Sequence, residues 1–195
     1  MRIGIDIDGV LTDIERFMID HGTKFCFENK IEESITLGEY DDAKMFNCNE
    51  EYVIEFWRRN LIDYFENYPI RDFAKEIIEK LKEEGNEIYI ITARDDYGVP
   101  PEYIGKVREI TKDWLDKNKI PYDKLIFTQE SKLPYCIENY VEVMVEDSPD
   151  NIKEISSKLP VICFNNYWNE KIKENKNIIR AYSWYQVYRK LKDMK

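Results

Sequence analysis

The hydrophobic pattern of this chain changes period several times. Ile3, Ile5 and Ile7 alternate with small or polar residues, which predicts a short strand running into Asp6-Ile7-Asp8-Gly9. Over residues 13–20, Ile14, Phe17 and Met18 recur at helical spacing. The chain then drifts through polar and aromatic residues as far as Tyr68, with little periodicity over 40–49. Within that stretch Asn49-Glu50-Glu51-Tyr52 reads as a helix start, placing Val53, Phe56, Trp57 and Leu61 on one face. From Ile70 onward the pattern is regular. A helix is predicted over 71–84, with Phe73, Ile77, Ile78 and Leu81 apolar and Gly85 as its stop. A strand follows over 87–91, and then a loop at Gly98-Val99-Pro100-Pro101. Pro101 suits the first turn of a helix reaching about 118, with Ile104, Val107, Ile110, Trp114 and Leu115 as its stripe. Further strands are predicted over 124–127, 141–145, 160–164 and 177–181. Helices are predicted from 132, over 150–158, and over 184–192 behind the cap residue Ser183.

Alternating strands and helices, the strands short and nearly free of internal charge, predict an α/β fold: a Rossmann-like three-layer core with a mostly parallel sheet between two helical layers. Residues 1–12 and 70–195 are expected to form that core, and residues 13–69 a small helical cap inserted after the first strand.

Composition narrows the picture. The 195 residues suffice for one good hydrophobic core, and the supply of aromatics, 14 Tyr and 4 Trp among them, speaks against disorder. A formal net charge of −10 argues against a nucleic-acid polymer or an anionic membrane as partner, but not against a small phosphate ester. Cys26, Cys48, Cys136 and Cys163 form no CxxC pair and His21 is the one histidine, so a Cys/His zinc site is not expected. Strand pattern begins at the first residues and no apolar run reaches membrane-spanning length, so a cytoplasmic protein with free thiols is expected. Exposed cap aromatics leave a homo-oligomer open.

The polar groups gather at predicted strand ends. In open parallel sheets ligands collect at the carboxyl edge. The first strand ends in Asp6 and Asp8, the second in Thr92 and Arg94, the fourth in Glu146 and Asp147, with Lys132 on the approach to the fourth. Alternation puts Asp6 and Asp8 on one side of the backbone, about 6–7 Å apart at Cα. Beyond the sheet edge two such carboxylates can converge on one cation, which relieves their repulsion. The set suits phosphoryl transfer: one carboxylate attacks phosphorus and a second acid protonates the leaving oxygen. Mg²⁺ neutralises charge, while a hydroxyl and an ammonium hold the phosphoryl oxygens. Taken singly, each has a structural explanation: Thr92 as a turn cap, Lys132 as a solvated lysine, Glu146 and Asp147 as helix-start acids.

In their order the motifs resemble those of the haloacid dehalogenase-like superfamily of aspartate-nucleophile phosphohydrolases. Asp6-Ile7-Asp8-Gly9-Val10 resembles its first motif, Thr92 in Ile90-Ile91-Thr92-Ala93-Arg94 the second, Lys132 the third, and Val145-Glu146-Asp147-Ser148-Pro149 the fourth. The resemblance implies Asp6 as nucleophile and Asp8 as general acid/base. It implies Mg²⁺ on Asp6, the Asp8 carbonyl and Asp147, with Glu146 acting directly or through water. Thr92 and Lys132 would hold the phosphoryl group. Asp8 points to a phosphatase or phosphomutase rather than a dehalogenase. The Ile-Thr-Ala-Arg and Glu-Asp-Ser-Pro-Asp-Asn forms are most similar to the 5′(3′)-deoxyribonucleotidase-like group, which implies a nucleoside monophosphate substrate. Base contacts would then come from cap aromatics such as Phe17, Tyr40, Phe46 or Trp57. Arg94 would bind substrate phosphate, close the cap or form a salt bridge. A phosphatase of another small ester such as a sugar phosphate, a phosphomutase and a non-catalytic phosphate-ligand sensor are the alternatives.

Overall fold

The computed structural model describes residues 1–32 and 34–194. Its centre is a six-stranded sheet: β1 (Arg2–Ile5), β2 (Glu87–Thr92), β3 (Lys124–Phe127), β4 (Val143–Glu146), β5 (Val161–Phe164) and β6 (Ile178–Ala181). The spatial order is β3-β2-β1-β4-β5-β6, and every neighbouring pair is parallel. Register fixes β1 at the middle, with Ile5 opposite Ile90 on one side and Val145 on the other.

Strand alternation sorts side chains into two cores. Ile88 and Ile90 join Val143, Val145 and Ile162 on the face covered by α4 (Ala74–Glu83), α5 (Val107–Lys117) and α8 (Trp184–Asp193). Tyr89 and Ile91 join Met144, Val161 and Cys163 on the opposite face, under α6 (Leu133–Glu138) and α7 (Pro149–Ile155). Both faces are therefore dry, as a parallel sheet requires, and each fully buried Ile or Leu contributes on the order of 1.5–3 kcal/mol. Trp184 seals the first core while its indole N–H donates to the Val10 carbonyl, tying α8 to the turn after β1.

Between β1 and α4 the chain forms α1 (Ile14–Glu28), α2 (Asp42–Met45) and α3 (Glu50–Asn67). These pack a third core from Phe17, Met18, Phe25, Met45, Phe46, Phe56, Tyr64 and Phe65, joined by Val107 of α5. Gly22 is required there: a Cβ would lie 2.2 Å from the Phe46 ring. The segment rests on α5, where the Trp114 indole donates to the Tyr68 carbonyl.

Some element boundaries depart from the sequence reading. α1 runs to Glu28, well past residue 20, because Gly22, Phe25 and Cys26 continue its buried face. The helix predicted from Pro101 is a 3-10 turn over Pro101–Tyr103. Gly105 at φ +82° interrupts it, α5 starts at Val107, and Ile104 is left exposed. α4 starts at Ala74, with Phe73 exposed at φ +64° outside the core stripe. β4 sits later than residues 141–145, so Glu146 is its last residue. No disulfide joins the four cysteines among the described residues.

Candidate active site

The carboxyl edge of the sheet brings the predicted polar residues together. Beyond β1 the ladder continues through the Asp6 N–H, which donates to the Val145 carbonyl, so the Asp6 side chain emerges next to the end of β4. Gly9 then turns the chain at φ +88°. A Cβ there would fall 2.0 Å from Asp147 Oδ2, so glycine is dictated by both backbone and space.

Lys132, just before α6, reaches inward until it is 1% exposed. Its Nζ lies 2.8 Å from Asp6 Oδ1 and 2.8 Å from Glu146 Oε2. The other Glu146 oxygen accepts the backbone N–H groups of Asp147 and Ser148, each at 3.0 Å. Glu146 is thus spent on fixing Lys132 and the turn after β4. Lys124, at the start of β3, instead donates to Asn139 Oδ1.

Oxygens of Asp6, Glu146 and Asp147 lie within 4.8 Å of one another. Burial, opposed by Lys132 and reinforced by Glu146 and Asp8, pushes the Asp6 carboxyl up to about 8. Burial, then the neighbouring Glu146 and Asp6, pushes Asp147 well above the carboxylate range. For Lys132 burial pulls down, but Asp6 and Glu146 outweigh it and hold the ammonium above its ordinary value. Crowded, desolvated carboxylates of this kind, with only oxygen donors, fit a hard divalent cation such as Mg²⁺, which would relieve their repulsion.

Asp8 faces a different partner set. Arg94, its side chain fully buried, donates from Nε at 3.0 Å and Nη2 at 2.7 Å to the Asp8 carboxylate. The guanidinium is stacked among Phe65, Trp114 and Tyr64. The Tyr64 hydroxyl, from α3, adds a hydrogen bond of 2.9 Å to Asp8 and meets Thr12 at 2.7 Å. Arg94 therefore forms a buried salt bridge, one of the alternatives left open by the sequence. Thr92 is fully buried at the end of β2, and its hydroxyl accepts the Arg94 N–H at 3.2 Å. At that point the cavity wall is formed by Ala93, Arg94 and Asp95.

A cavity of about 370 Å³ opens over Asp6, Asp8, Lys132 and Asp147. Its far wall includes Tyr40 and Trp57 from the α1–α3 segment and Trp168 from the segment after β5. Phe17 and Phe46, expected among the base-contacting aromatics, are instead 1% and 4% exposed inside the third core. Sequence reasoning missed Tyr64, Asn166, Trp168 and Asn169. The last three lie beyond the carboxyl end of β5, and that position was the one signal that could have found them.

This sheet order, with acids and a lysine converging at its carboxyl edge, defines a haloacid dehalogenase-like hydrolase. A haloacid dehalogenase-like hydrolase of Streptococcus pneumoniae superposes with a TM-score of 0.64 over 97% of both chains at 10% identity. The D,D-heptose bisphosphate phosphatase of B. bronchiseptica, solved with magnesium and phosphate, gives 0.55 at 8% identity over the whole of both chains. At such identities these likenesses establish the fold. Within the class, residues 1–194 match the family described as 5′ nucleotidase, deoxy (pyrimidine), cytosolic type C protein. A nucleotidase of Clostridium acetobutylicum is 30% identical over 190 residues, 96% of this chain and 92% of that one. A Chlorobaculum tepidum protein provisionally named a 5′(3′)-deoxyribonucleotidase is 30% identical over 196 residues, 97% of this chain and 89% of that one. The chain belongs to this 5′-nucleotidase family and is a phosphoric monoester hydrolase. No helix among the described residues is long and apolar enough to cross a membrane.

Proposed function

We propose that the protein is a Mg²⁺-dependent phosphomonoesterase that acts on nucleoside monophosphates through an acyl phosphate on Asp6, an aspartyl phosphate. One observation supports this most strongly. A single buried ammonium stands 2.8 Å from both Asp6 and Glu146, beside Asp147 and at the floor of a cavity large enough for a nucleotide.

In this reading Asp6, the Asp8 backbone carbonyl and Asp147 hold Mg²⁺, with Glu146 contributing from behind through its grip on Lys132. The bound cation would neutralise phosphoryl oxygens and lower the repulsion among the acids. Asp6 Oδ attacks phosphorus in line; the P–O bond to the nucleoside breaks, and the departing oxygen takes a proton from Asp8. Water, deprotonated by Asp8, then attacks phosphorus, releasing inorganic phosphate and restoring both carboxyl groups. Lys132 stabilises the transferring group by a charge-assisted hydrogen bond. Thr92 would add its hydroxyl proton, which is not used in the bond to Arg94.

Arg94 is assigned to orient Asp8 rather than to bind substrate phosphate, because its fork is already spent on that carboxylate. Residues 13–69 are assigned as a cap over the site. Tyr64 from that segment touches Asp8, so cap placement and the acid/base group are joined. Tyr40 and Trp57, which line the cavity, are assigned to meet the nucleoside.

The test is phosphate release, with and without Mg²⁺, from a panel of ribo- and deoxynucleoside monophosphates set beside sugar phosphates. Mg²⁺-dependent turnover with the highest kcat/KM on a nucleotide is expected. A panel in which sugar phosphates win would move the substrate, and one with no turnover at all would overturn the enzymatic reading.

A further inference from the structure

The short segment between β5 and β6 grips Asp147 at three points. Asn166 Nδ2 and Trp168 Nε1 both donate to Asp147 Oδ2, at 3.2 and 3.0 Å. Asn169 Nδ2 donates to the Asp147 backbone carbonyl at 2.9 Å. The two asparagines belong to a rigid buried frame. Asn166 also donates to the Gly9 carbonyl and accepts from Arg71, while the Asn169 amide oxygen accepts from Arg180 at 2.7 Å. Both side-chain donors converge on Oδ2, so Oδ1 keeps no hydrogen-bond donor among the described residues and is free to meet a cation.

Trp168 differs from the asparagines because it faces two ways. Its ring is part of the cavity wall and meets the Tyr40 ring edge-on, with centroids 5.8 Å apart at 72°. Tyr40 in turn lines the same cavity as Ser148, next to Asp147. The neighbouring Tyr167 N–H donates to Glu15 on α1 at 2.6 Å. The segment is thus tied to the α1–α3 helices on one side and to Asp147 on the other. An indole is a rigid plate with two torsions, so any contact that sets the plane of the Trp168 ring also sets the direction of its N–H.

We propose that Trp168 is a positioning residue that makes occupancy of the nucleoside end of the cavity and the orientation of Asp147 one event. The proposal rests on the reading of Asp147 as a cation ligand. A nucleoside moiety packing against the Trp168–Tyr40 wall fixes the indole, the indole holds Oδ2, and Oδ1 is presented to the cation. Because binding free energies are reciprocal, nucleoside then tightens Mg²⁺ binding and Mg²⁺ tightens nucleoside binding by the same factor.

The experiment is calorimetric titration of Mg²⁺ into the whole protein, alone and with a saturating 2′-deoxynucleoside. A nucleoside carries no phosphate, so any coupling cannot come from direct phosphate–metal contact. Wild type is expected to bind Mg²⁺ several-fold more tightly when nucleoside is present. Trp168→Phe keeps an aromatic wall and removes the N–H. It is expected to weaken Mg²⁺ binding about tenfold or more and to abolish the coupling. In turnover at saturating Mg²⁺ it should raise KM for the nucleotide several-fold, by the lost coupling factor, as well as lower kcat. Tyr40→Leu, at an exposed position that does not threaten folding, should diminish the coupling as well. Absence of coupling in wild type overturns the proposal, as does a Trp168→Phe protein whose Mg²⁺ affinity and coupling equal those of wild type. Phosphatase activity measured on the same wild-type preparation separates that failure from failure of the functional reading.

Discussion

Lys132→Met removes the charge at the centre of the site while keeping a chain of similar length. Lys132 is 1% exposed, and its ammonium is 2.8 Å from oxygens of Asp6 and Glu146. Breaking a buried ion pair costs about 3–5 kcal/mol, because the abandoned charge stays desolvated. Here the carboxyl groups of both Asp6 and Glu146 lose that partner. Glu146 retains two backbone donors on its other oxygen, whereas Asp6 loses the one side-chain cation it meets among the described residues. A loss near the middle of that range, about 4 kcal/mol, is expected, and for a domain of this size that lowers Tm by roughly 8–16 °C. The assay is thermal unfolding by circular dichroism with EDTA present. Saturating Mg²⁺ should then recover more of the lost Tm in the variant than it adds to wild type, since the cation takes over charge that the ammonium had balanced. Nucleotide turnover at saturating Mg²⁺ should fall roughly 100-fold or more, the order seen when a donor to a developing phosphoryl or oxyanion charge is removed. A variant melting within about 2 °C of wild type in EDTA, against the expected drop, would refute the assignment of Lys132 as the charge that holds these acids together.

Three further outcomes are expected. Tyr64→Phe keeps the ring among Phe17, Phe65 and Tyr68 but removes the hydroxyl that bonds Asp8 and Thr12. Steady-state kinetics should show about a tenfold fall in kcat, the size of one hydrogen bond to a charged group. Gly9→Ala forces a side chain into φ +88° and into the Asp147 carboxylate. Calorimetry should show Mg²⁺ affinity reduced by about tenfold or more, on top of about 1–2 kcal/mol of backbone strain seen in denaturant unfolding. Without metal, burial pushes Asp6 from its ordinary 3.8 to about 8, so the native state keeps a proton that the unfolded chain releases. Stability from this group is full below pH about 4 and drains as pH rises towards about 8. Urea titrations in EDTA should show that decline, Mg²⁺ should flatten it, and an unchanged slope in Asp6→Asn would contradict it.

Much of the molecule was legible because its chemistry sits where strands end. Asp6, Asp8, Glu146 and Asp147 could be read from short apolar runs that stop in acids, and the parallel order of those runs implied that the stops meet. Lys132 is locally one lysine among many; only its place before the fourth motif singled it out, and its burial against two acids explains why that place matters. What stayed hidden depends on contacts without a local period. Tyr64 is one of several aromatics on α3, and no spacing distinguishes the one that reaches Asp8. The bonds from Asn166, Trp168 and Asn169 to Asp147 join residues about twenty positions apart across a loop. Phe73 and Ile104 were drawn into apolar stripes because counting periods does not see a backbone turned to positive φ at Phe73 or at Gly105. For Arg94 the sequence left phosphate binding, cap closure and a salt bridge open, and burial beside Asp8 gives it a carboxylate partner that no local pattern could single out.

The central claim is that Asp6 carries the phosphoryl group during turnover. Rapid acid quench of the enzyme with Mg²⁺ and a phosphate-labelled nucleotide, followed by peptide mass spectrometry, tests it directly. Label should appear transiently on the peptide holding Asp6, at up to one group per chain, and Asp6→Asn should neither take label nor release phosphate. Steady phosphate release with Asp6 never labelled, or undiminished release by Asp6→Asn, would contradict the account.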